Sequence, residues 1–224
     1  MTAATMPTSS NRGRFITLEG GEGAGKSTQL RRLADSLRAR GIAVETTREP
    51  GGSPGAEEIR GLLVTGKTGR WSPVTEALLH TAARRDHLER TVWPALEEGK
   101  WVLCDRFFDS TMAYQGYGLG LGRELVETLQ RAALGEFRPD LTLILDIAVD
   151  KGLRRAASRH GGEDRYERMD IGFHQRLRDG FLDIARREPE RCAVVEADAD
   201  LDGVQARIWD AVASRLELTQ GRTP

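Results

Sequence analysis

Two cysteines in 224 residues, Cys104 and Cys192, are too few and too far apart for a disulfide framework or a thiolate metal centre. Each sits in an apolar run, so both are expected to be buried free thiols of a cytoplasmic protein. Net charge is also missing. Lys plus Arg number 33 and Asp plus Glu 34, so no global field exists to hold nucleic acid or an anionic membrane, and phosphate binding must be local. No run approaches the ~18 apolar residues of a membrane helix. Residues Met1 to Gly13 have no apolar stretch and are expected to be a disordered tail, not a signal peptide; residues 219–224 form a second tail. No internal repeat, low-complexity tract or splitting linker is visible. What is present is ordinary globular material, 39% apolar and 30% charged, enough for one core over residues 14–218.

Short apolar runs alternate with longer amphipathic ones. Strands are expected at 14–19, 42–47, 101–105, 141–146 and 192–196. Helices are expected at 26–40, 56–64, 73–98, 123–134, 150–160, 166–187 and 200–216, with a helical turn at 110–115. Pro94 should kink the long helix near Ala95, whose apolar side reads as Leu78, Thr81, Leu88, Val92 and Leu96. Trp101–Asp105 has almost no polar alternation, which suits a strand covered on both faces. Five strands separated by helices predict an α/β fold: a five-stranded parallel sheet with helices on both faces.

Gly20-Gly21-Glu22-Gly23-Ala24-Gly25-Lys26-Ser27 matches G-x-x-x-x-G-K-[ST], directly after a strand and opening a helix. Glycines let backbone N–H groups turn inward around a phosphate, and the helix N-terminus adds partial positive charge. Lys26 would bridge the β- and γ-phosphates of ATP, and Ser27 would ligate Mg²⁺. The glycines do not fit a dinucleotide fingerprint, and the Lys-Ser pair argues against one. Asp105, at the carboxyl end of the third strand, is the candidate second carboxylate for Mg²⁺. Arg106 would face the transferred phosphoryl group or the acceptor's phosphate.

At this point the chain resembles a bacterial thymidylate kinase. The residues carrying the likeness are Glu19-Gly-Gly-Glu-Gly-Ala-Gly-Lys-Ser-Thr28, Thr47-Arg-Glu-Pro-Gly-Gly52, Ala82-Ala-Arg84, Asp105-Arg106, Ser110-Thr111, Ala113-Tyr-Gln-Gly116 and Phe137-Arg-Pro-Asp-Leu141. They run in the family's order over nearly the whole chain. The resemblance implies a nucleoside-monophosphate-kinase fold with the strand of Asp105 beside the first. It also implies transfer of the γ-phosphate of MgATP to dTMP, and a homodimer, with the 73–98 helix a candidate interface. Gly20 to Thr28 would bind ATP. Arg48, Arg60 and Arg106 would surround the acceptor's 5′-phosphate, with Glu49 beside them, and Glu22 would reach its 3′-hydroxyl. Arg84 is likened to an arginine on the thymine carbonyl. Ser110, Thr111 and Gln115 resemble polar residues around base and phosphate, and Tyr114 an aromatic against the deoxyribose. His80 stands where the family usually carries a stacking Phe. A His titrating near ~6.5 there would make acceptor affinity weaker and pH-sensitive.

His160-Gly-Gly-Glu-Asp-Arg165 breaks two helices with a polar, Gly-rich stretch. A lid over about 155–166 would exclude water and bring charge to the transition state. Arg155, Arg159 and Arg165 are its candidates, with Arg159 and Arg165 placed among the catalytic residues. In the family, lacking an arginine at the position of Gly23 goes with arginines in the lid. Ala197–Asp200 would border adenine through its backbone. Two other readings stay open: a P-loop kinase for a different nucleotide or a deoxynucleoside, and a non-catalytic nucleotide-binding module.

Overall fold

A computed structural model describes residues 12–158 and 165–218. Its five strands are β1 (Phe15–Glu19), β2 (Val44–Arg48), β3 (Trp101–Asp105), β4 (Leu141–Asp146) and β5 (Cys192–Glu196). All pair in parallel, in the order β2-β3-β1-β4-β5, so the strand of Asp105 does lie beside the first. The helices are α1 (Lys26–Arg38), α2 (Pro54–Val64), α3 (Pro73–His87), α4 (Trp93–Glu97), α5 (Phe108–Thr111), α6 (Arg123–Leu134), α7 (Val149–Ala157), α8 (Ile171–Arg187) and α9 (Leu201–Arg215).

Strand alternation divides the core. Ile16, Leu18, Leu103 and Leu141, Leu143 and Leu145 turn to one face, where Leu33 and Leu37 of α1 and Ile208 and Val212 of α9 cover them. Phe15, Val102 and Cys104 turn to the other, against Leu88, Val92, Leu96 and Phe107. Ile144 meets Phe173, Leu177 and Phe181 of α8 on that same far face. The central strand β1 is fully buried, and its one interior hydroxyl, on Thr17, is satisfied by Thr142 Oγ1 at 2.9 Å. Both cysteines are buried free thiols. Among the described residues no helix is long and apolar enough to cross a membrane.

Several expectations shift. Arg12 and Gly13, assigned to the tail, are packed: Gly13 N donates to Leu96 O, and Arg12 lies over the Phe137 ring. The rest of that tail and residues 219–224 lie outside the described residues. Helix α8 begins at Ile171 instead of 166, because Asp170 caps it by accepting from Phe173 N at 2.9 Å. The irregularity around Pro94 falls before it. A π turn at Leu88–Val92 joins α3 to α4, with Trp93 N donating to Leu88 O. The segment expected as a short turn at 110–115 is α5 running into a π-helical stretch, Met112–Gly118.

The polarity of α3 is the largest departure. Leu78, expected on its apolar side, is 49% exposed, and Val74 is 41% exposed. The inner face instead carries Glu76, His80, Arg84 and His87, with Ala77 and Ala83. Glu76, His80 and Arg84 are spaced i, i+4, i+8 and so form one stripe. His80 and Arg84 line a cleft, and Glu76 pairs with Arg165 and Tyr166 beside it, which is why the inner side is polar.

Candidate active site

The carboxyl ends of β1, β2 and β3 open into a cleft of about 300 Å³. Its walls bring together Glu22, Lys26 and Ser27 from the loop after β1, and Arg48 and Glu49 from the end of β2. Arg60 comes from α2, His80 and Arg84 from α3, and Asp105, Arg106, Ser110, Thr111, Tyr114 and Gln115 from β3 onward. These residues span almost a hundred positions of chain, yet the parallel sheet delivers them to one edge.

The loop after β1 is shaped by close backbone approach. Gly23 has φ +69°, and a Cβ there would lie 1.9 Å from Gly152 O of α7. Gly152 in turn sits against Glu22 O. This packing leaves no room for a side chain at position 23, which accounts for glycine there. Ala24 points its methyl into the core, so it contributes only backbone. Gly20, Gly21 and Thr28 belong to the same loop and helix start but do not line the cleft. Lys26 Nζ donates to Gly20 O at 3.1 Å and Gly21 O at 2.9 Å. Burial, then the nearby Arg106 charge, pull its pKa down to about 8, so it still carries its proton at neutral pH.

Ser27 Oγ donates to Asp105 Oδ2 at 2.5 Å. Arg106 adopts φ +69°, a left-handed conformation costing a non-glycine residue about 1–2 kcal/mol. Its guanidinium then reaches Gly20 O at 3.1 Å, Ser110 Oγ at 3.2 Å and Glu22 Oε1 at 3.0 Å, and lies over the Tyr114 ring. Burial alone would raise the Glu22 carboxyl. The charges of Arg106 and Lys26 and a hydrogen bond from Tyr114 outweigh it and lower the pKa to about 2. A carboxylate inside a phosphate loop is thus kept ionised by two cations.

The far wall is built differently. Arg84 Nε donates to Glu49 Oε2 at 2.7 Å and its Nη2 to Thr111 Oγ1 at 3.0 Å. Glu49 Oε1 is taken by His87 Nδ1 at 3.0 Å, and His87 Nε2 meets Thr47 Oγ1 at 2.7 Å. Glu49 was expected to touch the acceptor. It does line the cleft, and its oxygens are engaged by Arg84 and His87. Arg48 is half-exposed and paired with Glu57, and Arg60 donates to Pro50 O at 2.6 Å.

Arg165 is a correction. Expected as a mobile catalytic arginine, it is 3% exposed, ion-paired with Glu76, and bonded to Leu63 O at 2.9 Å and Lys67 O at 3.2 Å. It ties the segment before α8 to α2, to the loop after α2 and to Glu76 of α3, and does not line the cleft. Arg159 and the stretch His160 to Asp164 lie outside the described residues. Arg155 donates to Ala197 O at 3.2 Å. Tyr166, unremarked in the sequence, roofs the acceptor end. Its hydroxyl donates to Glu76 Oε2 at 2.8 Å, and His80 Nε2 and Gln115 Nε2 each lie 3.3 Å from it.

His80 does face the cleft, but its titration is moved. Burial, then the charges of Arg84, Arg106, Arg165 and Arg60, lower its pKa to about 3. The shift favours a neutral imidazole at ordinary pH and so runs against the expected pH sensitivity. Glu19 is a second residue the sequence left without a role. It is wholly buried and accepts from Phe107 N at 2.7 Å and Ser110 Oγ at 2.6 Å; burial, then Asp109, raise it to about 8. It holds the turn that aims Arg106. Its signal was a lone carboxylate ending an otherwise apolar strand. The signal for Glu76 was its i, i+4, i+8 spacing with His80 and Arg84.

Two oxygen donors, the Ser27 hydroxyl and the Asp105 carboxylate, adjoin at the loop, a donor set suited to a hard divalent cation with waters and phosphate completing its shell. No cluster of three or more His, Cys, Asp or Glu able to hold a metal occurs among the described residues.

The thymidylate kinase family model matches residues 18–208. A thymidylate kinase of Caulobacter vibrioides is 60% identical over 92% of this chain and 99% of its own. One from Bradyrhizobium sp. (strain ORS 278) is 50% identical over 96% of each. A crystal structure of the Ehrlichia chaffeensis thymidylate kinase superposes with a TM-score of 0.72 at 34% identity, covering 90% of this chain and 99% of that one.

Proposed function

We propose a function from one premise: the chain belongs to the thymidylate kinase family. It is an ATP-dependent nucleoside monophosphate kinase that transfers the γ-phosphate of ATP to dTMP, giving dTDP and ADP for dTTP synthesis. The observation that carries the assignment is the single cleft in which a phosphate loop, Asp105-Arg106 and the acceptor arginines meet.

The roles of individual residues follow from charge and placement. Backbone N–H groups from Gly20 to Thr28 and the Lys26 ammonium hold the ATP phosphates. Ser27 and Asp105 would hold Mg²⁺, which supplies charge neutralisation on the polyphosphate. Arg106, with Arg48 and Arg60, grips the acceptor's 5′-phosphate and keeps its oxygen in line. That oxygen is already ionised at neutral pH, so no general base is required and catalysis is positioning plus electrostatics. Glu22, ionised, accepts from the acceptor's 3′-hydroxyl. Tyr114, fixed between Glu22 and Arg106, crowds the sugar where a ribose would carry its 2′-hydroxyl. Arg84, Thr111, Ser110 and Gln115 read the base and His80 lies against it. Arg159 and Arg155 are the lid arginines that remain for the transition state, Arg165 having its charge spent on Glu76.

Residues 14–218 act as one kinase domain. A second copy of the chain docks on α3, whose exposed Val74 and Leu78 are supported by a polar inner face that leaves apolar residues on the outside. The cytoplasm is the expected compartment.

A coupled ADP-release assay over dTMP, dUMP, UMP, dCMP and GMP tests the substrate. Preferred turnover with dTMP supports the assignment. Preference for another monophosphate, or ATP hydrolysis indifferent to any acceptor, overturns it.

A further inference from the structure

Between the phosphate loop, the end of β4 and α8 lies a second and much smaller cavity of about 20 Å³, which shares Glu22 with the cleft. Gly20, Gly21 and Glu22 form one wall, the end of β4 another, and His174, Leu177 and Phe181 of α8 the third. His174 is 3% exposed, yet its Nε2 has no partner among the described residues. Nε2 is the one ring nitrogen left buried without a partner among the described residues, and the backbone at Glu167 and Met169 lies on the other side of the ring. We assign the proton to Nδ1, on the side of that backbone, which leaves Nε2 as the acceptor. Burial keeps the ring neutral, and a neutral ring with its proton on Nδ1 presents a bare lone pair at Nε2.

A buried acceptor left without a donor costs about 1–3 kcal/mol. The cavity is the right size to remove that cost, because one water needs roughly 10–15 Å³. Of the polar groups around it, Arg178 is committed to Asp146 in a bidentate pair at 2.7 and 2.9 Å. Gly20 O and Gly21 O already accept from Lys26, and Gly20 O from Arg106 too, which leaves the Glu22 carboxylate. Glu22 uses Oε1 for both Arg106 and Tyr114, and its charge is felt at His174.

We propose that one water fills this cavity, donating one proton to His174 Nε2 and the other to the Glu22 side of the phosphate loop, and that His174 is thereby a positioning residue for Glu22. The imidazole then links the backbone at Glu167 and Met169 to the carboxylate that meets the acceptor sugar. This role rests on the reading of Glu22 as the partner of the 3′-hydroxyl.

The test compares kcat/KM for dTMP with that for 3′-deoxythymidine 5′-monophosphate. His174→Asn keeps a donor near the Nδ1 position and removes Nε2, and it is expected to lower the ratio about 5- to 10-fold. His174→Gln, which places an acceptor near Nε2, is expected to recover much of it, and a high-resolution crystal structure of the wild-type enzyme is expected to show a water on Nε2; an empty cavity there would overturn the proposal. Glu22→Gln is the control and should bring the ratio close to one. If Glu22→Gln does so while His174→Asn and His174→Gln both keep the wild-type ratio, the role of His174 is overturned. If Glu22→Gln itself leaves the ratio intact, the reading of Glu22 falls, and this role with it.

Discussion

The two halves of the cleft are built by opposite means. On the donor side, consecutive residues Gly20 to Ser27 close a loop whose chemistry is mostly main chain. Its side-chain needs are small: Lys26 inside, Ser27 at the mouth, and nothing at all on Gly23, where α7 presses in. On the acceptor side almost every contact is a side chain, drawn from α2, α3, the segment after β3 and the segment before α8. Those side chains are held by buried ion pairs, Arg84–Glu49 and Arg165–Glu76, each under 5% exposed. A main-chain site depends on the path of its backbone, and so on glycine where a neighbouring element presses in. A side-chain wall depends on partners that never touch the ligand, because a buried charge cannot lose its counter-ion cheaply.

Arg106 stands between the two halves, and its loss should be the most damaging. Arg106→Ala removes the cation from Glu22, Gly20 O and the phosphates together, and we expect kcat/KM to fall about 10³-fold. Steady-state kinetics varying each substrate should find both KM values affected; a change in the dTMP value alone would place Arg106 on the acceptor side only. Next comes the clasp. Glu76→Ala strands the Arg165 charge, so urea unfolding should show a loss of about 3–5 kcal/mol. The double variant Glu76→Leu with Arg165→Met should recover most of that stability; no recovery would mean the pair does more than neutralise itself.

Smaller effects separate the halves more cleanly. Tyr166→Phe deletes one hydroxyl shared by Glu76, His80 and Gln115, and dTMP KM should rise about 3- to 10-fold with ATP KM unchanged. An equal rise for ATP would erase the division. The smallest expected effect is at His80. With its pKa lowered to about 3, the ring stays neutral above that value, so His80 contributes no change in dTMP KM from about pH 5.5 to 8. The substrate phosphate titrates in this range, so the comparison is with His80→Phe: the two profiles should run parallel, and a step near ~6.5 in wild type alone would contradict the burial assigned to His80.

The same contrast explains what could be read in advance. The donor loop is contiguous, so its eight residues and their flanking strand and helix were legible, as was the parallel sheet through strands with no polar alternation. The acceptor residues were named through family likeness, and the cleft does gather them. Their supports were not legible. Glu76 and His87 on α3, Glu19 at the end of β1 and Tyr166 before α8 act through partners 38 to 91 positions away, and spacing along one helix, which marks Glu76, does not name such partners. Arg165 was misassigned for the same reason, since a lid arginine and a buried clasp look alike until Glu76 is placed beside it. Leu78 was placed inward because apolar spacing normally marks the buried side. Here the inner side serves the ligand and the rule inverts.

Calorimetric titration of dTMP into Lys26→Met, with and without ATP analogue, tests this division most directly. Among the described residues Lys26 hydrogen-bonds only the carbonyls of Gly20 and Gly21; its charge reaches Glu22, but Arg106 also holds Glu22 ionised and the rest of the acceptor wall is fixed without Lys26. The variant should bind dTMP with a Kd within about threefold of wild type while its affinity for the ATP analogue falls at least about tenfold, a difference of ~1.4 kcal/mol or more. Loss of dTMP affinity in step with that for ATP would contradict two separately built halves.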